Sequence, residues 1–381
     1  MQFRTRAIHV GQDRDPATGA VVPPLHVAST FVQPDASMTA AYDYARTGSP
    51  TRHAFERTLA DLDGGVRALA FASGMAATHC ATQLLAPGDR LVTGTDIYGG
   101  SWRLFNRVLA PHGITVAAVD TSDTAAVAAA VVPGTKLVWI ESPGNPLLSI
   151  TDIAACAEIA HAAGALLACD ATLATPALTR PLEHGADIVM HSATKSIGGH
   201  SDLLGGALVC RDADLAARLH WLQNATGGVM GPLEAFLCSR GLKTLELRVQ
   251  AQSATALELA EWLTTRPGVR RVLYPGLAGH RGHALAARQM TGGFGTIVSF
   301  EIDGGIERAR RVVESTRLFQ LAVSLGAVES LIEIPALMSH GSYEPAARRA
   351  VGIADGLIRL AVGLEAFADL RDDLASALAA V

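Results

Sequence analysis

The sequence predicts an α/β fold, a mostly parallel doubly wound sheet followed by a smaller α+β C-terminal domain. Two observations lead there. Between residues 66 and 210, seven short apolar, β-prone segments recur, with helix-period stretches between most of them, the alternation that builds parallel sheets. Past residue 234 the order changes to a long helical stretch and then strands mixed with helices. A chain of 381 residues, 49% of them apolar, has ample material for two cores.

Residues 1–47 contain VVPPLHVASTF and little helical periodicity, so they are expected to form an extended arm that packs on something else, with another subunit one candidate. A first domain is expected over 48–246. Ser49-Pro50 opens a helix with Phe55, Leu59 and Leu62 on one face, closed by Gly64-Gly65. Strand candidates follow at 66–72, 90–93, 114–119, 136–141, 165–170, 186–191 and 206–210, with helices at 74–86, 99–110, 124–131 and 152–163. Helical sequence around 234–266 bridges to a second domain, 247–381. There TIVSFEI (296–302) and LIRLAVG (357–363) read as strands and 367–379 as a closing amphipathic helix. No repeat interrupts the pattern.

A net charge of −5 without lysine or arginine clusters argues against a nucleic-acid partner. Met1–Val10 lacks an apolar h-region, and no run approaches the roughly 20 apolar residues that cross a bilayer, so a cytoplasmic protein with no membrane partner is expected. The five cysteines are odd in number and widely spaced, with no CxxC. That pattern argues against a disulfide framework and against a metal cluster, and suits core thiols.

The stretch HSATKSIGGHSD (191–202) sets Lys195 among hydroxyls, histidines and glycines, just beyond the apolar run ADIVM. Strand ends of this kind are where open α/β sheets bind ligands, and a desolvated amine loses its proton and attacks carbonyl carbon. A glycine-rich surface loop with an incidental lysine reads the stretch as well. Phe71-Ala72 leads through Ser73 into Gly74-Met75, a strand–turn–helix that presents backbone N–H groups to phosphate. Asp170 closes ALLACD and needs a cationic partner if buried, unless it is an exposed helix cap. Tyr98 precedes Gly99-Gly100, which would let its ring lie on a flat ligand. Arg359, inside an apolar strand, suits a small carboxylate or a salt bridge. Lysine, aspartate, phosphate cradle, stacking aromatic and carboxylate-binding arginine together are what pyridoxal 5'-phosphate requires.

The chain resembles the Cys/Met-metabolism family of pyridoxal-phosphate enzymes, which includes cystathionine γ-lyases, γ-synthases and β-lyases and methionine γ-lyases. The resemblance runs through VVPPLHVASTF, YDYARTGSPTR, FASGMAA, DIYGGSWRLF, ESPGNP, DATLATP, HSATKSIGGHSD, RGLKTL, YPGL, SLGAVESL and LIRLAVGLE. It implies the aspartate-aminotransferase (type I) fold and a homotetramer of dimers with shared active sites. By the same resemblance Lys195 is the Schiff-base lysine, Asp170 pairs the ring nitrogen, and Tyr98 stacks on the ring and exchanges protons. Gly74, Met75, Ser192 and Thr194 would hold the phosphate, with Tyr44 and Arg46 reaching in from the neighbouring subunit. Arg359, Ser324 and Asn145 would hold the α-carboxylate of a small sulfur amino acid. The family usually has Asn, Asn and Tyr where this chain has Ser49, Ala171 and Ser196, departures that bear on pocket shape more than on cofactor use.

Fewer residues bear on the reaction. Gly99-Gly100 stands where methionine γ-lyases typically carry a cysteine soon after the tyrosine. Arg103 matches the arginine associated with the far carboxylate of cystathionine. In the other direction, Val323 replaces a glutamate frequent in cystathionine γ-lyases and γ-synthases, and HGSYEPAARRAVGIADGL resembles methionine γ-lyase. The balance favours α,γ-elimination of cystathionine, ahead of methionine γ-lyase, γ-synthase and β-lyase activity. A catalytically silent relative is disfavoured, because Lys195, Asp170, Tyr98 and Arg359 are all kept.

Overall fold

The computed structural model describes residues 1–341 and 343–380. Its larger sheet has seven strands, β1 (Arg67–Phe71), β2 (Arg90–Gly94), β3 (Thr115–Val119), β4 (Thr135–Glu141), β5 (Leu166–Asp170), β6 (Ile188–His191) and β7 (Gly206–Cys210). Their order is β1-β7-β6-β5-β4-β2-β3, and only β7 runs against its neighbours. Alternate residues feed two cores: Leu69, Leu137, Trp139 and Ile188 point to one face, Ala70, Val138, Ile140 and Val189 to the other. Both faces are covered, which is why the strands read as nearly continuous apolar runs.

The seven strands fall where the pattern places them, and the helices differ mostly at their ends. Ser49 caps the helix Pro50–Asp63 by accepting from the Arg52 N–H, so serine does here what asparagine would do at an N-cap. The stretch 99–110 starts as α-helix, Gly99–Arg103, and widens to a π-helix over Leu104–Leu109. Pro111, which has no N–H, sits in a closing 3-10 turn, and Gly113 in the left-handed region ends it. The stretch 234–266 divides into Pro232–Leu242 and Leu245–Thr264. The arm corrects the sequence reading at its start, where Phe3–His9 is a helix. Two turns are too short for periodicity to show; Ala7 is buried and Phe3 packs on the main core.

The smaller sheet holds β8 (Val269–Leu273), β9 (Ile297–Ile302), β10 (Gln320–Leu321), β11 (Leu331–Glu333) and β12 (Leu357–Ala361), in the order β10-β11-β12-β9-β8. Its core joins Val298, Phe300, Ile332, Ile358 and Leu360 to residues of the helices Leu245–Thr264, Gly305–Ser315 and Phe367–Ala379. All five cysteines are buried and unbridged. No helix among the described residues is long and apolar enough to cross a membrane.

Candidate active site

Because β1, β2, β4, β5 and β6 run in one direction, their carboxyl ends open on one edge of the sheet, the edge where such folds bind ligands. A cavity of about 380 Å³ lies there. The sheet contributes Ser73, Gly74 and Met75 after β1, Tyr98 after β2, Glu141 and Asn145 from β4, Asp170 and Thr172 from β5, and Ser192, Thr194 and Lys195 after β6. From the smaller domain come Ser324 and Arg359, and Arg103 and Val323 complete the lining named here.

Lys195 sits on the 192–205 connection, which turns back without a helix and so makes β7 antiparallel. Thr194 braces this turn, its hydroxyl accepting from the Gly205 N–H at 3.0 Å. Arg248, buried, donates to the Ser196 carbonyl at 2.7 Å and the Gly241 carbonyl at 2.8 Å, fixing the residue after the lysine. The Lys195 amine donates to the Ser324 hydroxyl at 2.7 Å. Burial, reinforced by the Arg359 cation and opposed by Glu333, lowers its pKa to about 8. An amine so placed is partly neutral near physiological pH, as a nucleophile and a proton acceptor must be.

Asp170 is buried at the end of β5 and accepts from the Thr172 N–H at 3.0 Å. Burial raises its pKa, while the Thr172 hydrogen bonds and the nearby His191 favour the anion. His191 is itself locked to Asp63 at 2.9 Å, both wholly buried. Arg359 is the clamp at the far wall. It donates to Asn145 Oδ1 at 3.1 Å and to the Ser324 carbonyl at 2.7 Å, and pairs with Glu333 at 2.9 Å. The two readings of Arg359 are therefore compatible, since a salt bridge from below aims the guanidinium at the cavity.

At the other end, the helix Gly74–Thr82 points its N-terminus at the site, capped by Ser73. A Cβ on Gly74 would meet the Ser192 side chain at 3.0–3.1 Å, so glycine is what lets this turn approach the hydroxyls. Backbone N–H groups, two serines and a threonine at a helix N-terminus suit a phosphate. An amine, a buried aspartate and a tyrosine line the same cavity as this turn and supply partners for the aldehyde, ring nitrogen and ring face of pyridoxal phosphate, so the residues fit the group.

Eleven of the residues picked out from sequence, Lys195, Tyr98, Asp170, Gly74, Met75, Ser192, Thr194, Arg359, Ser324, Asn145 and Arg103, line this one cavity. Tyr44 and Arg46 do not line it: Tyr44 is exposed, with the Arg46 guanidinium 5.3 Å from its ring and bonded to Asn224 at 3.2 Å. Arg52 holds their segment through the Ala45 and Arg46 carbonyls at 2.7 and 3.0 Å. Sequence reasoning missed Glu141 and Glu333. Glu141 ends KLVWIE as Asp170 ends ALLACD, a signal that was available; Glu333 faces Arg359 through the β11–β12 register, which no local pattern reveals.

A family profile described as Cys/Met metabolism PLP-dependent enzyme matches residues 4–379. The chain belongs to this family. It is a pyridoxal-phosphate-dependent enzyme of the carbon–sulfur lyase and synthase group, with the type I fold. It is 50% identical over 376 residues to the cystathionine gamma-synthase of Mycobacterium tuberculosis, covering 98% of this chain and 96% of that one. It is 48% identical over 376 residues to the cystathionine beta-lyase of Coxiella burnetii, covering 98% and 97%. The crystal structure of cystathionine gamma-lyase from Lactobacillus plantarum, complexed with L-serine, superposes with a TM-score of 0.97 at 45% identity over 100% and 99% of the two chains.

Proposed function

We propose that this enzyme cleaves cystathionine by α,γ-elimination, consuming one water and releasing cysteine, 2-oxobutyrate and ammonia. The observation that carries the reading is Arg103 at the cavity that also holds Lys195 and Arg359. Two arginines share the cavity with one amine, and cystathionine has a carboxylate at each end. Arg359, with Asn145 and Ser324, takes the near carboxylate; Arg103 takes the far one. Methionine ends in an apolar methyl and has no second carboxylate for an arginine to hold.

Pyridoxal phosphate, when bound, supplies the electron sink that stabilises negative charge beside the substrate amine. The chain's own residues do the rest. Gly74, Met75, Ser192 and Thr194 hold the phosphate, and Asp170 keeps the ring nitrogen protonated. Tyr98 covers the ring face. Lys195 takes the proton from the substrate Cα and a proton is then lost from Cβ, whose electron pair forms the Cβ–Cγ double bond as the Cγ–S bond breaks, and Tyr98 delivers a proton to the departing sulfur. Tyr44 and Arg46 complete the phosphate site of a second copy in a cytoplasmic homotetramer. The exposed apolar side chains of the arm, among them Val21, Val27 and Val32, support that packing.

A second reading, synthesis of cystathionine from an O-acylhomoserine and cysteine, is favoured by the 50% identity to a protein named for it. One product assay separates the readings. Purified holoenzyme given cystathionine is expected to yield 2-oxobutyrate and cysteine. Pyruvate and homocysteine would instead assign β-elimination, cystathionine formed from the acylhomoserine mixture would assign the synthase, and preferential release of methanethiol from methionine would overturn the reading.

A further inference from the structure

Two carboxyls line the cavity among the described residues, and the reading above uses only Asp170. The other, Glu141, is 3% exposed and stands beside Asp170 on the adjacent parallel strand, paired with it in register. Its Oε2 accepts from the Tyr98 backbone N–H at 2.7 Å, and the Asn145 backbone N–H is directed at it as well. One carboxyl thus holds the Tyr98 turn and stands beside the Asn145 turn, which come from different parts of the sheet. The first carries the tyrosine ring; the second carries the side chain that binds Arg359 at 3.1 Å.

The tyrosine turn needs such a grip. Tyr98 is the N-cap of the helix Gly99–Arg103 and receives no side-chain cap there. Its ring folds back over Gly100, where a Cβ would collide with it, and the residue is 41% exposed. The Glu141 bond fixes the backbone from which that ring hangs.

We propose that Glu141 is a positioning residue that pins the Tyr98 backbone, and through it the ring and phenol, in register with Asp170 and the Arg359 clamp. The proposal rests on the reading of Tyr98 as the ring-covering, proton-delivering residue. Burial first, and then the Asp170 carboxylate beside it, raise the Glu141 pKa well above the usual range. A carbonyl oxygen is enough to accept the Tyr98 N–H, so an amide of the same length serves nearly as well.

The test compares Glu141→Gln, Glu141→Ala, Tyr98→Phe and the double variant Glu141→Ala/Tyr98→Phe, each as holoenzyme with cystathionine. Glu141→Gln is expected to keep kcat within about threefold. Loss of a positioned acid–base group costs about a hundredfold, and Glu141→Ala is expected to lose a comparable share of kcat with KM little changed. In the Tyr98→Phe background the same change should cost under about threefold, since contacting residues acting through one group are not additive. The visible circular dichroism of the bound cofactor should change in Glu141→Ala and stay wild-type in Glu141→Gln. Equal losses in both backgrounds with unchanged dichroism would overturn the proposal, as would Glu141→Gln failing as badly as Glu141→Ala. If Tyr98→Phe alone turns over at the wild-type rate, the proton-delivering role of Tyr98 falls, and the dichroism comparison still decides the positioning. Should Glu141→Ala not fold, Glu141→Met, equally long and without an acceptor, replaces it.

Discussion

The floor of the cavity and its mouth are built differently. At the floor, Asp170, Asn145 and Arg359 are each less than 5% exposed and each has a named partner. Toward the mouth, Tyr98 is 41% exposed, Val323 57% and Leu204 66%. Burial makes the floor expensive to alter, because a charge that loses its partner there stays desolvated. Residues at the mouth change without that penalty. Relatives of nearly equal identity bear the names γ-synthase and β-lyase, and the exposed mouth is the part of the cavity that can vary without the desolvation penalty of the floor.

The sharpest way to break this contrast is at Lys195. Lys195→Ala is expected to abolish turnover even where cofactor still binds through its phosphate, since no other lysine lines the cavity among the described residues. Retained turnover in a product assay would remove the floor's claim to the chemistry. Next comes Arg359→Lys, which keeps the charge and loses the fork that reaches Asn145 and Ser324 together. Hydrogen bonds to charged groups contribute roughly 1.5–3 kcal/mol each, so kcat/KM is expected to fall about a hundredfold for every amino-acid substrate alike.

At the mouth the effect should be smaller and selective. Arg103→Ala is expected to lower kcat/KM for cystathionine by about one to two decades, the worth of one charge-assisted hydrogen bond, and to leave methionine nearly unchanged. Equal losses for both would make Arg103 structural and erase the distinction between floor and mouth. The smallest expected effect sharpens the floor itself. The Lys195 amine, lowered from 10.5 to about 8, should give a rate of cofactor capture by apoprotein that rises with pH through about 8. Glu333→Gln removes the carboxylate that favours the ammonium form and should move that midpoint lower; a midpoint unmoved would mean Glu333 acts on Arg359 alone. The sign for stability follows. Because the folded value lies below the ordinary one, the buried ammonium disfavours the folded apoprotein below pH 8, and the penalty fades between about 8 and 10.5.

Local signals in the chain determined the elements: short apolar runs for the strands and the 3.6 period for the helices, Ser49-Pro50 and Gly64 for one helix's limits, and strand ends holding Asp170, Tyr98 and Lys195. Those signals are short-range, so they survive reading one segment at a time. What they do not contain is adjacency. Nothing within β7 says that it inserts between β1 and β6, yet that placement turns the 192–205 connection back toward the cavity. The pairing of Glu141 with Asp170 and of Glu333 with Arg359 depends on register between strands, and Glu333 and Arg359 are 26 residues apart in the chain. The helix Phe3–His9 escaped notice because its burial depends on a core assembled from elsewhere. The amine of Lys195 is the clearest case. Its residue type and strand-end position are in the sequence; the desolvation and the Arg359 cation that make it a usable base arise only when the smaller domain closes one wall of the site, since dielectric and charge proximity are properties of space and not of sequence order.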